Sequence, residues 1–310
     1  MFIRKNIAVE DFRKGFAAIP YTQQNKSEVM VQSLMLGLMA ALLWGLHDFI
    51  VRKVGPKADA AALLLIVIGA GALVLAPLCL ILGGWQSLTP AAVWLCLAAG
   101  LAYAFAGYGL YSAFTIGPVR LVAPICGAFP LLSVGFAMAR GAEGSALVWL
   151  GAVAVLGGIA LVAQGETDAA QGSRGRAIVW SVMACFGFAA TFGLLQWASE
   201  YASAPPVLLL ARLACFAIVL AFVALRRIPI APALAQSRAL LLMGALDVSA
   251  LGAVTWAGGF ARPEFASVSS SIFGMITILL AWRFLREPML PLQWLGAGVV
   301  FSGIAVLGLV

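Results

Sequence analysis

The sequence predicts an all-α polytopic membrane protein whose ten transmembrane helices form two inverted five-helix repeats, and three observations carry that prediction. Hydrophobic residues make up 63% of the 310 and charged residues only 10%, and the mean hydropathy of +1.05 lies far above the balance of a soluble domain. Apolar runs of about 20 residues, the length that crosses a bilayer core as a helix, recur between turn signals along the chain. The two halves also repeat one another in a fixed register.

The predicted spans are residues 33–53, 60–83, 91–114, 119–139, 146–164, 177–199, 205–225, 238–259, 265–285 and 291–310. Each run is continuously apolar, whereas the strands of a membrane β-barrel alternate lipid-facing and lumen-facing residues over about ten positions. Short linkers leave no room for a soluble domain between spans. The domain reading is a polar N-terminal tail over residues 1–30, a first repeat over 31–165 and a second over 176–310.

The remaining composition excludes several function classes. Cysteines 79, 96, 126, 185 and 215 all fall inside apolar spans and never as a CxxC pair, so they read as small packing residues rather than disulfides or metal ligands. The net charge of +7 arises in the tail and loops, as is common at membrane surfaces, and does not point to nucleic acid. With one histidine and no Walker sequence, neither metal-dependent hydrolysis nor ATP binding is indicated. No cofactor is expected.

At an offset of 145, "WLGAVAVLGGIALV" at 149–162 aligns with "WLGAGVVFSGIAVL" at 294–307, eight of fourteen positions being identical. The same offset pairs Gly107 with Gly252, Tyr111 with Trp256 and Pro118 with Pro263. Each repeat holds five spans, and an odd number obliges the second copy to cross the membrane in the opposite sense. Inverted repeats around a midplane site are a recurrent construction of secondary transporters, because nearly equivalent halves can exchange arrangements.

The stretches "ALLWGLHDFIVRKVG", "AYAFAGYGLYSAFTIGPVRLVAP" and "ILLAWRFLREPMLPLQWLGAGVVFSGIAVL" resemble an EamA-type member of the drug/metabolite transporter superfamily, over residues 33 to 310. The resemblance implies ten helices that move small metabolites, amino acids or drugs, often outward, through a cavity walled by the first, third, fourth, sixth, eighth and ninth helices. It also implies cytoplasmic termini. The distribution of Lys and Arg favours the opposite orientation, since only Lys26, Arg140 and Arg262 lie near spans on the N-terminal side, whereas Arg52, Lys53, Lys57, Arg120, Arg174, Arg176, Arg226, Arg227, Arg238, Arg283 and Arg286 lie on the other. We follow the resemblance, because export of a 30-residue tail without a signal segment is uncommon.

Polar residues inside apolar spans are the candidate site, since intramembrane ionisable groups are costly and are retained for function. On the first helix Gly37, Ala41, Trp44, Gly45 and Asp48 share one face at 100° per residue, which turns Asp48 toward the bundle; His47 lies on the flank of that face. Adjacency alone does not make His47 and Asp48 a hydrogen-bonded pair. Arg52, four residues beyond Asp48, offers an ion pair that would anchor the helix instead. Arg212 and Asp247 sit at comparable depth in the seventh and eighth spans and are expected to pair or to share a wet cavity. Together His47, Asp48, Arg212 and Asp247 are the candidates for proton coupling or ion pairing.

Trp44, Asp48, Tyr108, Tyr111, Trp256, Ser270 and Ser271 are the candidate solute-binding residues, aromatic rings offering broad contact with a polar handle and hydroxyls offering hydrogen bonds. The serines can equally bond helix carbonyls or join two helices. Pro124 and Pro130 predict a kink in the fourth span. Gly151, Gly158, Gly296 and Gly303 predict close helix packing, within one chain or between two copies of a homodimer. The resulting expectation is a multi-pass plasma membrane transporter, of the bacterial inner membrane, that expels a small solute by alternating access with protons as the coupling ion. An intramembrane lipid-modifying enzyme and a non-transporting scaffold are the alternatives.

Overall fold

The computed structural model describes residues 26–139, 145–162, 164, 171–257, 269–270 and 272–307. Among the described residues there are eleven helices of eight residues or more: α1 (Lys26–Val54), α2 (Ala60–Leu82), α3 (Pro90–Ile116), α4 (Val119–Cys126), α5 (Phe129–Ala139), α6 (Ala146–Val162), α7 (Gln171–Ser199), α8 (Ala204–Leu225), α9 (Ser237–Ala257), α10 (Phe273–Leu280) and α11 (Pro291–Leu307). Among the described residues six are long and apolar enough to cross a membrane, and shorter apolar helices occupy the fourth, fifth, ninth and tenth spans. The helices α4 and α5 together fill the fourth span.

Local sequence sets where the helices start and stop. The Asp59 carboxylate accepts from the Ala61 amide at 2.8 Å and caps α2. The Thr89 hydroxyl accepts from the Ala92 amide at 3.2 Å, and Pro90, which has no N–H to leave unsatisfied, opens α3. The expected kink in the fourth span is a full break at Gly127 and Ala128, with Pro124 inside α4 and Pro130 in the first turn of α5. After α10 the chain continues through a π-helical turn, Ala281–Leu285, and stops at Arg286, whose φ of 56° is left-handed. Both α1 and α7 are 29 residues long and start before the predicted spans; at 1.5 Å per residue each is about 43 Å, more than the roughly 30 Å hydrocarbon core.

The inversion is visible where the fifth and tenth spans meet. Gly151 faces Gly303 and Gly158 faces Gly296, and a methyl on any of the four would stand between 2.7 and 3.0 Å from the carbonyl oxygen of the glycine opposite. Under the offset of 145, Gly151 corresponds to Gly296 and Gly158 to Gly303, so each glycine meets the counterpart of the other. Only an antiparallel crossing does that. These glycine faces are therefore used within one chain. The other helix pairs obey the same exchange: α1 packs on α9 as α7 packs on α3, α2 packs on α9 as α8 packs on α3, α1 packs on α10 as α7 packs on α4 and α5, and α2 packs on α8 across the two-fold. The register extends to the first helices, since α1 and α7 end 145 residues apart and α2 and α8 begin 144 apart.

The main core joins both repeats, with Leu63, Leu64, Ile68, Tyr111, Phe114, Leu240, Met243 and Ile304 all buried. All five cysteines are free and buried, as the sequence predicts. The predicted inner face of α1 is also as expected: Gly37, Ala41, Gly45 and Asp48 are buried, and Gly45 lets α1 approach Ile276 and the Phe273 carbonyl of α10.

Candidate functional site

A cavity of about 90 Å³ lies between the repeats, lined from α1, α2, α3, α5, α7, α8, α9 and α10. At ~10–15 Å³ for each water-sized group it has room for roughly six to nine of them. The second and seventh spans thus join the six that the resemblance implies. They do so because α2 and α8 cross at the two-fold, and their inner residues Val67, Ile68, Ala211 and Arg212 reach the centre.

One wall holds a buried ion pair. Arg212, only 2% exposed, donates from Nη1 to Asp247 Oδ2 at 2.7 Å and from Nε to the Ile68 carbonyl at 3.3 Å. The same carboxylate accepts from Tyr103 Oη at 2.9 Å and, through Oδ1, from Trp44 Nε1 at 3.2 Å. The guanidinium lies against Gly71 of α2, where a Cβ would collide with Nη2, Cζ and Nε. The guanidinium and two further donors, Tyr103 and Trp44, compensate the desolvation of Asp247, as a buried charge requires. The expected pairing of Arg212 with Asp247 is found; Tyr103 was missed, although it shares a face of α3 with Gly107 and Tyr111, at four and eight residues' spacing.

Beside it stands a second acidic group with fewer partners. His47 Nδ1 lies 2.9 Å from Asp48 Oδ1, and Tyr111 Oη lies 3.3 Å from His47 Nε2. Asp48 is 4% exposed and faces the cavity. Here the structure decides two points that the sequence leaves open. Neighbouring residues 100° apart do meet, because Nδ1 is the ring nitrogen nearer the backbone and both side chains are confined at one interface. Asp48 does not pair with Arg52.

Arg52 instead reaches the end of the bundle, donating from Nε to Glu287 Oε1 at 2.7 Å and from Nη1 to the Phe114 carbonyl at 2.8 Å. Glu287 Oε2 accepts from the Val119 amide, the first residue of α4, at 2.8 Å, and Arg120 Nη1 donates to the Pro288 carbonyl at 2.8 Å. A carboxylate and a carbonyl together satisfy the guanidinium fork better than Asp48 alone, one turn deeper, would. The result is a clasp: the ends of α1 and α3 and the start of α4, all in the first repeat, close on the loop before α11 in the second.

A second part of the lining is aromatic. Phe129, Phe188, Phe192 and Phe273 line the cavity with Trp44; Phe129 and Phe192 have centroids 5.1 Å apart, and Trp44 meets Phe192 and Phe273 edge-on at 6.4 and 6.2 Å. Of the other sequence candidates, Tyr111 lines the cavity. Tyr108 does not; it turns to the far side of α3 and packs against Trp180 and Phe222, at 5.3 and 5.7 Å. Ser270 is buried but lies outside the cavity lining, while the neighbouring Ser269 donates to the Leu34 carbonyl at 3.1 Å and joins α10's approach to α1. Ser271 lies outside the described residues, as does the side chain of Trp256, whose backbone belongs to α9.

Comparison with known proteins adds an independent line. Residues 32–164 and 175–309 each match the EamA-like transporter family. No curated protein shows a significant match. A solved structure titled only "Crystal structure of protein" is similar in fold, with a TM-score of 0.61 and 17% identity, covering 88% of this chain and 95% of that chain.

Proposed function

This chain belongs to the EamA-like transporter family, and from that premise we propose that it expels a small organic solute across the plasma membrane by alternating access, with protons as the coupling ion. It is a multi-pass membrane protein, and the two inverted repeats supply the near-equivalent halves that such a cycle exchanges. The observation that carries the reading is the cavity between them, where a buried carboxylate with a histidine partner, Asp48 with His47, meets space for a solute. A buried Asp beside an imidazole is a group that can take up and release a proton as its surroundings change from wet to dry.

The clasp formed by Arg52, Glu287 and the Val119 amide supports a gating step. While it holds, the end of the cavity below Tyr111 and Phe114 stays closed, so opening on that side requires Glu287 to leave the start of α4. The break between α4 and α5 supplies a hinge for that movement, since the backbone hydrogen bonds are already interrupted there.

The test is purified protein in proteoliposomes, loaded with metabolite and drug pools and driven by an imposed pH gradient. Proton-dependent movement of one solute class, absent from empty liposomes and from Asp48→Asn protein of normal fold, is the expected outcome. Gradient-independent leakage, or no flux of any pool, would reject the reading.

A further inference from the structure

The geometry points to an organic monocation with an apolar or aromatic body as the solute of the central cavity, held by Asp48 between the aromatic rings. This rests on the transport reading above and names the chemistry of its site.

The argument begins with which groups have capacity left. Arg212 offers none to a solute anion: Nη1 is on Asp247, Nε is on the Ile68 carbonyl, and Nη2, which has no hydrogen-bond partner among the described residues, is buried against Gly71 and not open to the cavity. Asp247 is likewise engaged by Arg212, Tyr103 and Trp44. Asp48 differs. Its Oδ1 meets His47, while its Oδ2 makes no hydrogen bond among the described residues and is not sealed from the cavity it lines.

Charge decides the sign of the ligand. The ionisable groups around Asp48 are His47 on its own helix, Tyr103 and Tyr111 on α3, Arg212 on α8 and Asp247 on α9, which line the cavity with it, and Cys126 on α4, which lies outside that lining. Arg212 and Asp247 cancel. With His47 neutral and Asp48 ionised the cavity carries one uncompensated negative charge, which low-dielectric surroundings disfavour strongly. A proton on the dyad or a bound monocation restores neutrality, and the two compete for the same carboxylate. Beside the deprotonated dyad a bound anion would double the charge, and a neutral solute would leave it unrelieved. The aromatic wall fits the same ligand, because ring faces attract a cation and bury an apolar body. The room for roughly six to nine water-sized groups sets the size at about that of an aryl-methyl amine.

The experiment uses three ligands of one shape, benzylammonium, benzyl alcohol and benzoate, titrated calorimetrically into the purified full chain in detergent. We expect benzylammonium to bind at least tenfold more tightly than the alcohol and at least a hundredfold more tightly than benzoate. Its binding should weaken as pH falls, and the proton release, read from buffers of different ionisation heat, should approach one per cation. Asp48→Asn should weaken benzylammonium at least tenfold while the alcohol is unaffected. Benzoate binding as tightly as benzylammonium, or pH-independent cation binding by the wild-type protein, would overturn the assignment; the latter readout needs no variant to fold. Anion flux in the liposome screen with no cation binding would overturn the ligand class and leave the transport reading standing. Cation binding without flux of any pool would do the reverse.

Discussion

The two walls of the cavity come from a duplicated sequence yet have opposite chemistry. His47 of α1 has Phe192 of α7 as its counterpart at the offset of 145, and both line the cavity. Arg212 and Asp247 correspond to Val67 and Ala102, and Tyr103 corresponds to Val248. Duplication therefore preserved what the scaffold needs, the glycine crossing of α6 and α11 and the order of helix contacts, while ionisable groups collected on one side of the two-fold. Symmetric halves give two accessible arrangements of the bundle; an asymmetric cavity makes those arrangements differ in what they bind.

The ion pair of the polar wall should show the largest effect when that comparison is broken. Arg212→Met alone leaves Asp247 buried without its cation and should cost about 3–5 kcal/mol, read as loss of folded yield or a large drop in thermal midpoint. The double variant Arg212→Met, Asp247→Leu should recover most of that loss. Additive losses in the cycle would show that the two residues are not coupled.

Gly71 tests the same wall from behind. Gly71→Ala places a methyl where the guanidinium lies, pinned by its bonds to Asp247 and the Ile68 carbonyl, and should cost roughly 1–3 kcal/mol of stability by overpacking. The substitution should be harmless in an Arg212→Met background. Equal cost in both backgrounds would mean that the slot does not serve Arg212.

The clasp carries charge-assisted hydrogen bonds worth about 1.5–3 kcal/mol each when well formed, less here because Arg52 is partly exposed, its side chain 23% accessible. Glu287→Gln should raise the rate at which a cysteine placed at Leu64 is labelled from that end of the bundle, by several fold. Arg52→Glu combined with Glu287→Arg should not restore slow labelling, because a glutamate at position 52 cannot donate to the Phe114 carbonyl and an arginine at position 287 cannot accept from the Val119 amide. Unchanged labelling in Glu287→Gln would remove the clasp from gating. On the aromatic wall Phe192→Leu forfeits an edge contact with Trp44 and a tilted one with Phe129, each ~0.5–1.5 kcal/mol, and should weaken solute binding by up to roughly tenfold without altering its pH dependence.

How far the sequence reaches depends on whether an interaction is periodic. The ten spans, the inversion and the inner face of α1 follow from apolar run length, an odd span count and 100° steps, and all are found. Depth along the membrane paired Arg212 with Asp247, because two helices of known direction fix the height of each residue. What lies across the bundle at equal depth was not legible. Arg52 had both Asp48 and Glu287 within reach, and only the packed ends of α1, α3 and α4 decide for Glu287. Tyr108 and Tyr111, three residues apart on α3, are both candidates from the sequence, whereas Tyr103 and Tyr111 face inward and Tyr108 packs outward. The ring cluster of Phe129, Phe188 and Phe192 draws on two helices, and no single-helix pattern announces it.

The central claim is that Asp48, on the polar wall alone, ties proton movement to solute movement. The most direct measurement is the proton flux that an imposed solute gradient drives in proteoliposomes containing the wild-type chain or Asp48→Asn, both checked for fold by thermal midpoint. The account predicts that wild-type protein moves protons against the direction of the solute, near one for one, and that Asp48→Asn moves none. Well-folded Asp48→Asn protein that drives protons as the wild type does would contradict it.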